Sequence, residues 1–461
     1  MRFDRRSLRF WRQLPLTSPR LWTRRLAFWA GAGLVALVAI AFARLADGAQ
    51  ELFNVATAGG RAWLVLIIAP CGFALSVYLT RTVFPGAQGS GIPQVMAALQ
   101  MTDSRMIERV LSLRVGLGKI LLTLVGLASG ASIGREGPTV QVGASIMQAL
   151  GRALRLPRVE TQRGLVLAGG AAGVAAAFNT PLAGVVFAIE ELSHSFESRT
   201  SGMVLTAVIL GGIATLALTG NYTYFGVTSV GLPLGSGWIA VILCGLIGGL
   251  LGGCFSSLLL AFPSDLPGRI GLWVKTHPIQ FAVLCGLAIA TLGLLSRGAT
   301  YGTGYAQARA LVEGDSRLPV TFFILKFLAT VFSYLSGIPG GIFAPSLSVG
   351  ASLGSWLAQF FPHSPARAIV LLGMVGYFAG VVQAPITAFV IVLEMTANQQ
   401  MTIPIMATAW LAYAASRLVC RRPLYGSLAR RFLKDTVASA RAAVPQVAVT
   451  ATVSVTKPQE H

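Results

Sequence analysis

The segments "GREGPTVQVGASI" (residues 134–146) and "GIFAPSLSVGASL" (341–353) can be laid one over the other. Both read G-x-x-x-P-x-x-x-V-G-A-S, at an offset of 207 residues. The match continues downstream, more weakly. "FNTPLAGVVFAIEE" (178–191) and "VQAPITAFVIVLEM" (382–395) each place a glutamate nine residues after a proline: Pro181 with Glu190, Pro385 with Glu394. Glycine, alanine and valine are common here, so short matches arise by chance. A shared proline, a shared VGAS block and a shared Pro-to-Glu spacing at nearly one offset make chance a poor account. Duplicated halves in a membrane protein point to a transporter built from two repeats, with its substrate site at their interface, lined by interrupted helices. These residues alone leave open whether the halves run parallel or inverted.

The rest of the chain is apolar enough for that reading. Of 461 residues, 54% are hydrophobic and 11% charged, against about 25% charged in soluble globular domains. No Asp, Glu, Lys or Arg occurs from Thr200 to Ser264. Roughly 20 apolar residues cross a bilayer core as a helix. Spans are expected around Leu26–Ala43, Trp63–Leu79, Met203–Leu218, Trp238–Phe262, Ile279–Leu295, Val320–Leu335 and Ile369–Leu393. The short alternating segments of a β-barrel are missing, so the fold class is an all-α polytopic membrane protein.

A net charge of +20 raises the question of nucleic acid, but its distribution answers it. Arg2, Arg5, Arg6, Arg9, Arg12, Arg20, Arg24 and Arg25 crowd residues 1–25. Arg417, Arg421, Arg422, Arg430, Arg431 and Lys434 crowd the other end. Both clusters flank apolar spans, where positive charge marks the cytoplasmic side. Both termini are therefore placed in the cytoplasm, and no nucleic-acid partner is expected. Residues 1–25 are too long and basic for the head of a cleaved signal peptide, and no small-residue cleavage site follows the first span. Residues 431–461 read as a cytoplasmic, partly disordered tail. The cysteines (Cys71, Cys244, Cys254, Cys285, Cys420) are scattered through apolar runs and read as buried small hydrophobes, not as disulfides or metal ligands. His194 reads as a surface histidine at a helix end.

Three stretches share a design of glycines, then a proline, then helix formers: "GSGIPQV" (89–95), "GREGPTV" (134–140) and "GGIFAPSL" (340–347). Proline suits the first helical turn, and glycine lets backbone turn sharply and approach a ligand. Each motif therefore begins a helix. A helix start carries free N–H groups and roughly half a positive charge. Lipid does not accept free N–H groups, so they must face protein, water or an ion. Converging starts make an anion site that attracts without a full positive charge. The helix-start motif comprises Gly89, Gly91, Gly134, Arg135, Gly137 and Gly341. A single start of this kind is as easily a kink or a close crossing; three, two of them related by the repeat, favour the anion site.

In this order and spacing, GSGIP, GREGP and GGIFAP resemble the CLC family of chloride channels and chloride/proton antiporters. So do "AAAFNTPLAGVVFAIEE" (175–191) and "RPLYGSL" (422–428). The resemblance runs from about residue 60 to about 430. It implies two inverted-topology repeats, about 60–220 and 237–428, within a membrane domain spanning 26–430. Many helices are then tilted or half-spanning. It implies a bacterial-type homodimer in the inner membrane, with one ion pathway per subunit. Chloride would be held by the hydroxyls of Ser90 and Tyr425 and the backbone N–H groups of Ile342 and Phe343. On its own residues Ser90 is equally a helix cap and Tyr425 an interfacial anchor. Glu136 matches the gating glutamate and external proton acceptor. Burial opposes its charge, whereas the helix start and Arg135 favour it. A structural Arg135–Glu136 ion pair is the competing reading. Glu191 matches the internal proton-transfer glutamate of the antiporters, and its neighbour Glu190 is expected to tie the helix end to nearby arginines. Lys119 matches a family lysine, read as a buried compensating charge or a snorkelling side chain.

The resemblance thus implies chloride/proton antiport, with a passive chloride channel as the alternative and Glu191 as the discriminating residue. Ser90 stands where proline marks nitrate preference in some relatives, so chloride is favoured. No pair of regulatory nucleotide-binding domains follows Tyr425. An enzyme would need a nucleophile with a base, or a metal cluster; neither HExxH nor CxxC is present. No metal and no cofactor are expected. The partners are chloride, protons and the lipid bilayer.

Overall fold

A computed structural model describes residues 19–156, 160–193, 198–220, 222–233, 235, 237–262, 268–314 and 318–442. Among these residues the chain is helical, with an isolated antiparallel bridge in place of any sheet. The first half runs α1 Pro19–Thr57, a 3-10 turn at Gly59–Leu64, α2 Val65–Thr82, α3 Ile92–Gln100 and α4 Ser104–Val110. It continues with α5 Leu113–Leu127, α6 Glu136–Ala153, α7 Glu160–Phe178, α8 Pro181–Phe187 and α9 Ser198–Thr219. The second half runs α10 Gly237–Ala261, α11 Gly268–Thr276, α12 Pro278–Leu295, α13 Tyr305–Glu313 and α14 Thr321–Leu335. Then come α15 Phe343–Ala358, α16 Ala366–Val382, α17 Pro385–Thr396 and α18 Thr402–Val419. A bend of 49° separates α18 from α19, Leu424–Ala442.

Among the described residues five helices, some with their lead-in turns, are long and apolar enough to cross a membrane. Others are too short. The 12-residue α17 rises about 18 Å against a core of about 30 Å, so it half-spans. The exposed surface of the long helices is leucine-rich, with Leu37, Leu66, Leu75, Leu121 and Leu284 facing outward as lipid contact requires.

The repeat is visible as geometry. Gly134 and Gly341 exchange both backbone hydrogen bonds, each 2.7 Å, in an antiparallel pair. Equivalent residues that pair this way are related by a local twofold axis, and such an axis lying in the membrane plane is the relation of inverted-topology repeats. The VGAS block owes its glycine to helix crossing. A methyl group on Gly143 would lie 2.3 Å from the Gly169 carbonyl oxygen, and one on Gly350 2.6 Å from that of Gly373. Thus α6 crosses α7, and α15 crosses α16, with backbones in contact, the close approach that small residues permit in membranes.

Three readings need correction. The run Ile369–Leu393 is not one span: α16 stops at Val382, Gln383 takes a left-handed conformation (φ 58°), and Pro385 opens α17. Of the expected tail, residues 431–442 continue α19; residues 443–461 lie outside the described ones, as do residues 1–18 and His194. Cys71 and Cys254 are exposed on outward helix faces, where lipid serves a thiol as well as a core does; the five cysteines are free thiols. Finally, Glu190 meets backbone, not arginines, as described next.

Candidate functional site

The three glycine–proline motifs do start helices, α3, α6 and α15, and their starts meet. Gly91, at φ 102°, turns the chain into α3, and its N–H is held by Gln94 Oε1 at 3.1 Å. A methyl group there would lie 2.8 Å from the Gly137 carbonyl oxygen. One on Gly137 would lie 2.4 Å from Ser90 Oγ, and one on Gly341 3.0 Å from the Gly137 nitrogen. Gly91, Gly137 and Gly341 are thus required by contact between helix starts. Gly340 N–H also donates to the Gly89 carbonyl at 3.0 Å, tying the α15 start to the α3 start.

The donors this convergence supplies are neutral. Ser90 and Tyr425 are buried, and their hydroxyls face each other without a hydrogen bond of good geometry between them. Both O–H groups can point at one shared ion. Ile342 and Phe343 lead α15, where N–H groups find no carbonyl a turn back. The Phe343 ring is fixed among Phe178 (6.0 Å), Phe187 (6.1 Å), Phe378 (4.8 Å) and Tyr425 (6.0 Å). Apolar walls lined by a few aimed donors suit a weakly hydrated anion that must also leave.

Glu136 is fully buried at the first position of α6. Its carboxylate folds back over Gly134, where a methyl group would collide with Oε2 and lie 3.4 Å from Ala344 Cβ. The negative group therefore occupies the junction of the α6 and α15 starts. Tyr224 approaches Glu136 Oε1 to 3.4 Å through its hydroxyl. Its ring is boxed by Phe178, Phe225 and Tyr305. Arg135 turns the other way, donating to Asp47 Oδ1 and the Ala43 carbonyl on α1, each at 2.6 Å. The Arg135–Glu136 ion pair is not formed.

Glu191 is buried in a π-helical turn, Ala188–Ser193, that ends α8. The turn packs against α3 and α7. Such turns recur at functional sites because they rotate side chains out of helical register. Here the turn sends adjacent carboxylates to different tasks. Glu190 accepts hydrogen bonds from the Ile386 and Thr387 N–H groups at 3.1 and 2.5 Å, capping the start of α17. Glu394 reciprocates by accepting from Leu182 and Ala183 at 3.1 and 2.8 Å, capping α8. The repeated Pro-to-Glu spacing therefore encodes two exchanged caps, each half closing a helix of the other.

Lys119 does not snorkel. It is buried and donates to the Gln88 and Gly89 carbonyls at 3.1 and 2.8 Å, fixing the loop that presents Ser90. Lys326, also buried, binds the Thr300 and Gly302 carbonyls at 2.9 and 2.7 Å before α13. Sequence reasoning missed Lys326, although it stands 207 residues after Lys119, at the repeat offset. It also missed Tyr224, which arrives from an extended loop carrying no periodic signal.

Fold and site together define a membrane transporter with inverted repeats and a buried junction of converging helix starts. The chain belongs to the voltage-gated chloride channel family, whose model matches residues 71–417. It is 32% identical over 423 residues to the H(+)/Cl(-) exchange transporter ClcA of Salmonella typhi, covering 87% of this chain and 86% of that one. The ClcA of Salmonella typhimurium gives the same figures. The crystal structure of a slow cyanobacterial Cl-/H+ antiporter superposes with a TM-score of 0.76 at 26% identity, over 90% of this chain and 99% of that one. A eukaryotic CLC transporter shares the fold, with a TM-score of 0.75 at 21% identity over 90% of this chain and 75% of the other.

Proposed function

We propose that this protein exchanges chloride for protons across the membrane. Glu136 is the gate and external proton acceptor, and Glu191 is the internal proton carrier. Chloride is held by Ser90, Tyr425 and the N–H groups of Ile342 and Phe343. The observation that carries this reading is the seat of Glu136. A carboxylate placed where helix starts attract an anion competes with chloride for that place. Protonated, it loses its hold and yields. One residue thereby links the two fluxes, and Glu191, a second buried carboxylate, supplies a proton acceptor on the remaining route. The names of the Salmonella exchangers and the cyanobacterial antiporter support the same reading.

The proposal extends to a homodimer in a bacterial inner membrane, with both termini cytoplasmic. Arg24 and Arg25 at the start of α1 and the arginines around the α18–α19 bend support that orientation through the positive-inside rule. The deciding experiment records chloride efflux and external pH together in liposomes carrying the purified protein. Antiport drives proton uptake as chloride leaves. Chloride movement without proton movement would replace antiport by the passive channel.

A further inference from the structure

A cavity of about 640 Å³ lies between the end of α10, the α18–α19 turn and the first turns of α19. Arg421, Arg422, Arg430, Arg431 and Lys434 all line it, and among the described residues no carboxylate does. None of these five makes an ion pair among the described residues. Asp435, the acidic residue nearest in sequence, lines a different cavity with Phe432 and Arg109. Five like charges around one hollow repel each other unless an anion joins them.

The hollow has a built frame. Ser257 Oγ donates to the Val419 carbonyl at 3.2 Å, joining α10 to the turn. Gln383 Nε2 donates to the Cys420 carbonyl at 2.6 Å, and Cys420 Sγ to that of Arg422 at 3.2 Å. The apolar spans α10 and α18 end here, and Leu258, Leu418 and Val419 are exposed beside the cavity at 48%, 80% and 41%. Cations over an apolar rim, at the level where spanning helices stop, match a phosphate headgroup with its acyl chains alongside. Arginine forks suit phosphate oxygens.

We propose that this cavity binds the phosphate of an anionic phospholipid, which braces the bend from which Tyr425 enters the ion pathway. The inference does not rest on the antiport reading, because its primary measurement is lipid retention. The full-length protein is placed in nanodiscs of phosphatidylcholine alone, of phosphatidylcholine doped with phosphatidylglycerol, or of phosphatidylcholine with inorganic phosphate in the buffer. Retained lipid is then counted by native mass spectrometry after detergent extraction, and thermal stability is recorded in each arm.

The wild type should retain phosphatidylglycerol and gain stability from it. The triple variant R421Q/R430Q/K434Q should weaken retention about fivefold per charge removed, hence about a hundredfold. R421K/R430K keeps charge and should keep most of the binding, which separates loss of the site from loss of folding. R105Q/R109Q/R114Q removes as many exposed cations, two of them from the lining of the neighbouring cavity, and should retain lipid as the wild type does. Equal loss in that variant would reduce the cluster to the general positive charge of one membrane face and overturn the proposal. Protection by inorganic phosphate, with none from phosphatidylglycerol, would overturn the lipid assignment.

Discussion

Ser90 and Tyr425 show how the chloride reading can be tested atom by atom. Each offers one buried hydroxyl with no partner in the protein, and a hydrogen bond to a charged group contributes about 1.5–3 kcal/mol. Ser90→Ala and Tyr425→Phe should each weaken chloride binding by roughly tenfold or more, measured by calorimetric titration. Unchanged affinity in the double variant would place the ion elsewhere. Tyr224→Phe keeps the aromatic box and deletes only the hydroxyl near Glu136. A carboxylate with one donor fewer accepts a proton more readily. Acid stimulation of chloride flux should therefore set in at higher external pH, and an unchanged pH profile would make Tyr224 a packing residue only. These residues were not equally legible. The glycines could be read from helix-start chemistry, whereas Ser90, equally a helix cap on its own residues, took its chloride role from the family resemblance. Tyr425 needed the family resemblance, because nothing local separates a pore hydroxyl from an interfacial one. Tyr224 could not be read, since its contact spans 88 residues and is made by a loop without pattern.

Helix starts were the readable elements, and helix ends were not. Glycine and proline announce α3, α6 and α15 locally, whereas the break between α16 and α17 lies inside an apolar run where only Pro385 hints at it. The exchanged caps were visible as a repeated spacing and could not be interpreted until the halves were placed around their twofold axis. Glu190 and Glu394 each receive two N–H groups from the opposite repeat. A carboxylate cap is worth about 1–2 kcal/mol through its hydrogen bonds and the helix dipole. Glu190→Gln and Glu394→Gln should each lower the thermal midpoint of the purified protein, nearly additively in the double variant, with proton coupling retained. Glu191→Gln should do the reverse, sparing stability and chloride flux while abolishing proton uptake. Loss of coupling in Glu394→Gln would show that the caps take part in the proton route and are more than braces.

At the scale of the whole molecule, one axis organises everything above: the paired glycines, the crossed helices, the exchanged caps and the two buried lysines. Its symmetry is broken at the first residue of the repeated helices, where α6 has Glu136 and α15 has Phe343. On the proposed reading, one half supplies an open helix start for an ion, and the other supplies the carboxylate that competes for it. Glu136→Gln keeps the size of that side chain and removes its charge, so it should permit chloride flux insensitive to external pH and uncoupled from protons. Arg135 does not depend on Glu136, since Asp47 and Ala43 hold it. The variant should therefore stay folded, with a thermal midpoint close to that of the wild type. Joint recording of chloride efflux, proton uptake and thermal stability gives a clear decision. A folded Glu136→Gln protein that still takes up protons against their gradient as chloride leaves would remove Glu136 from the cycle, because a neutral amide does not accept a proton and has no charge with which to displace chloride.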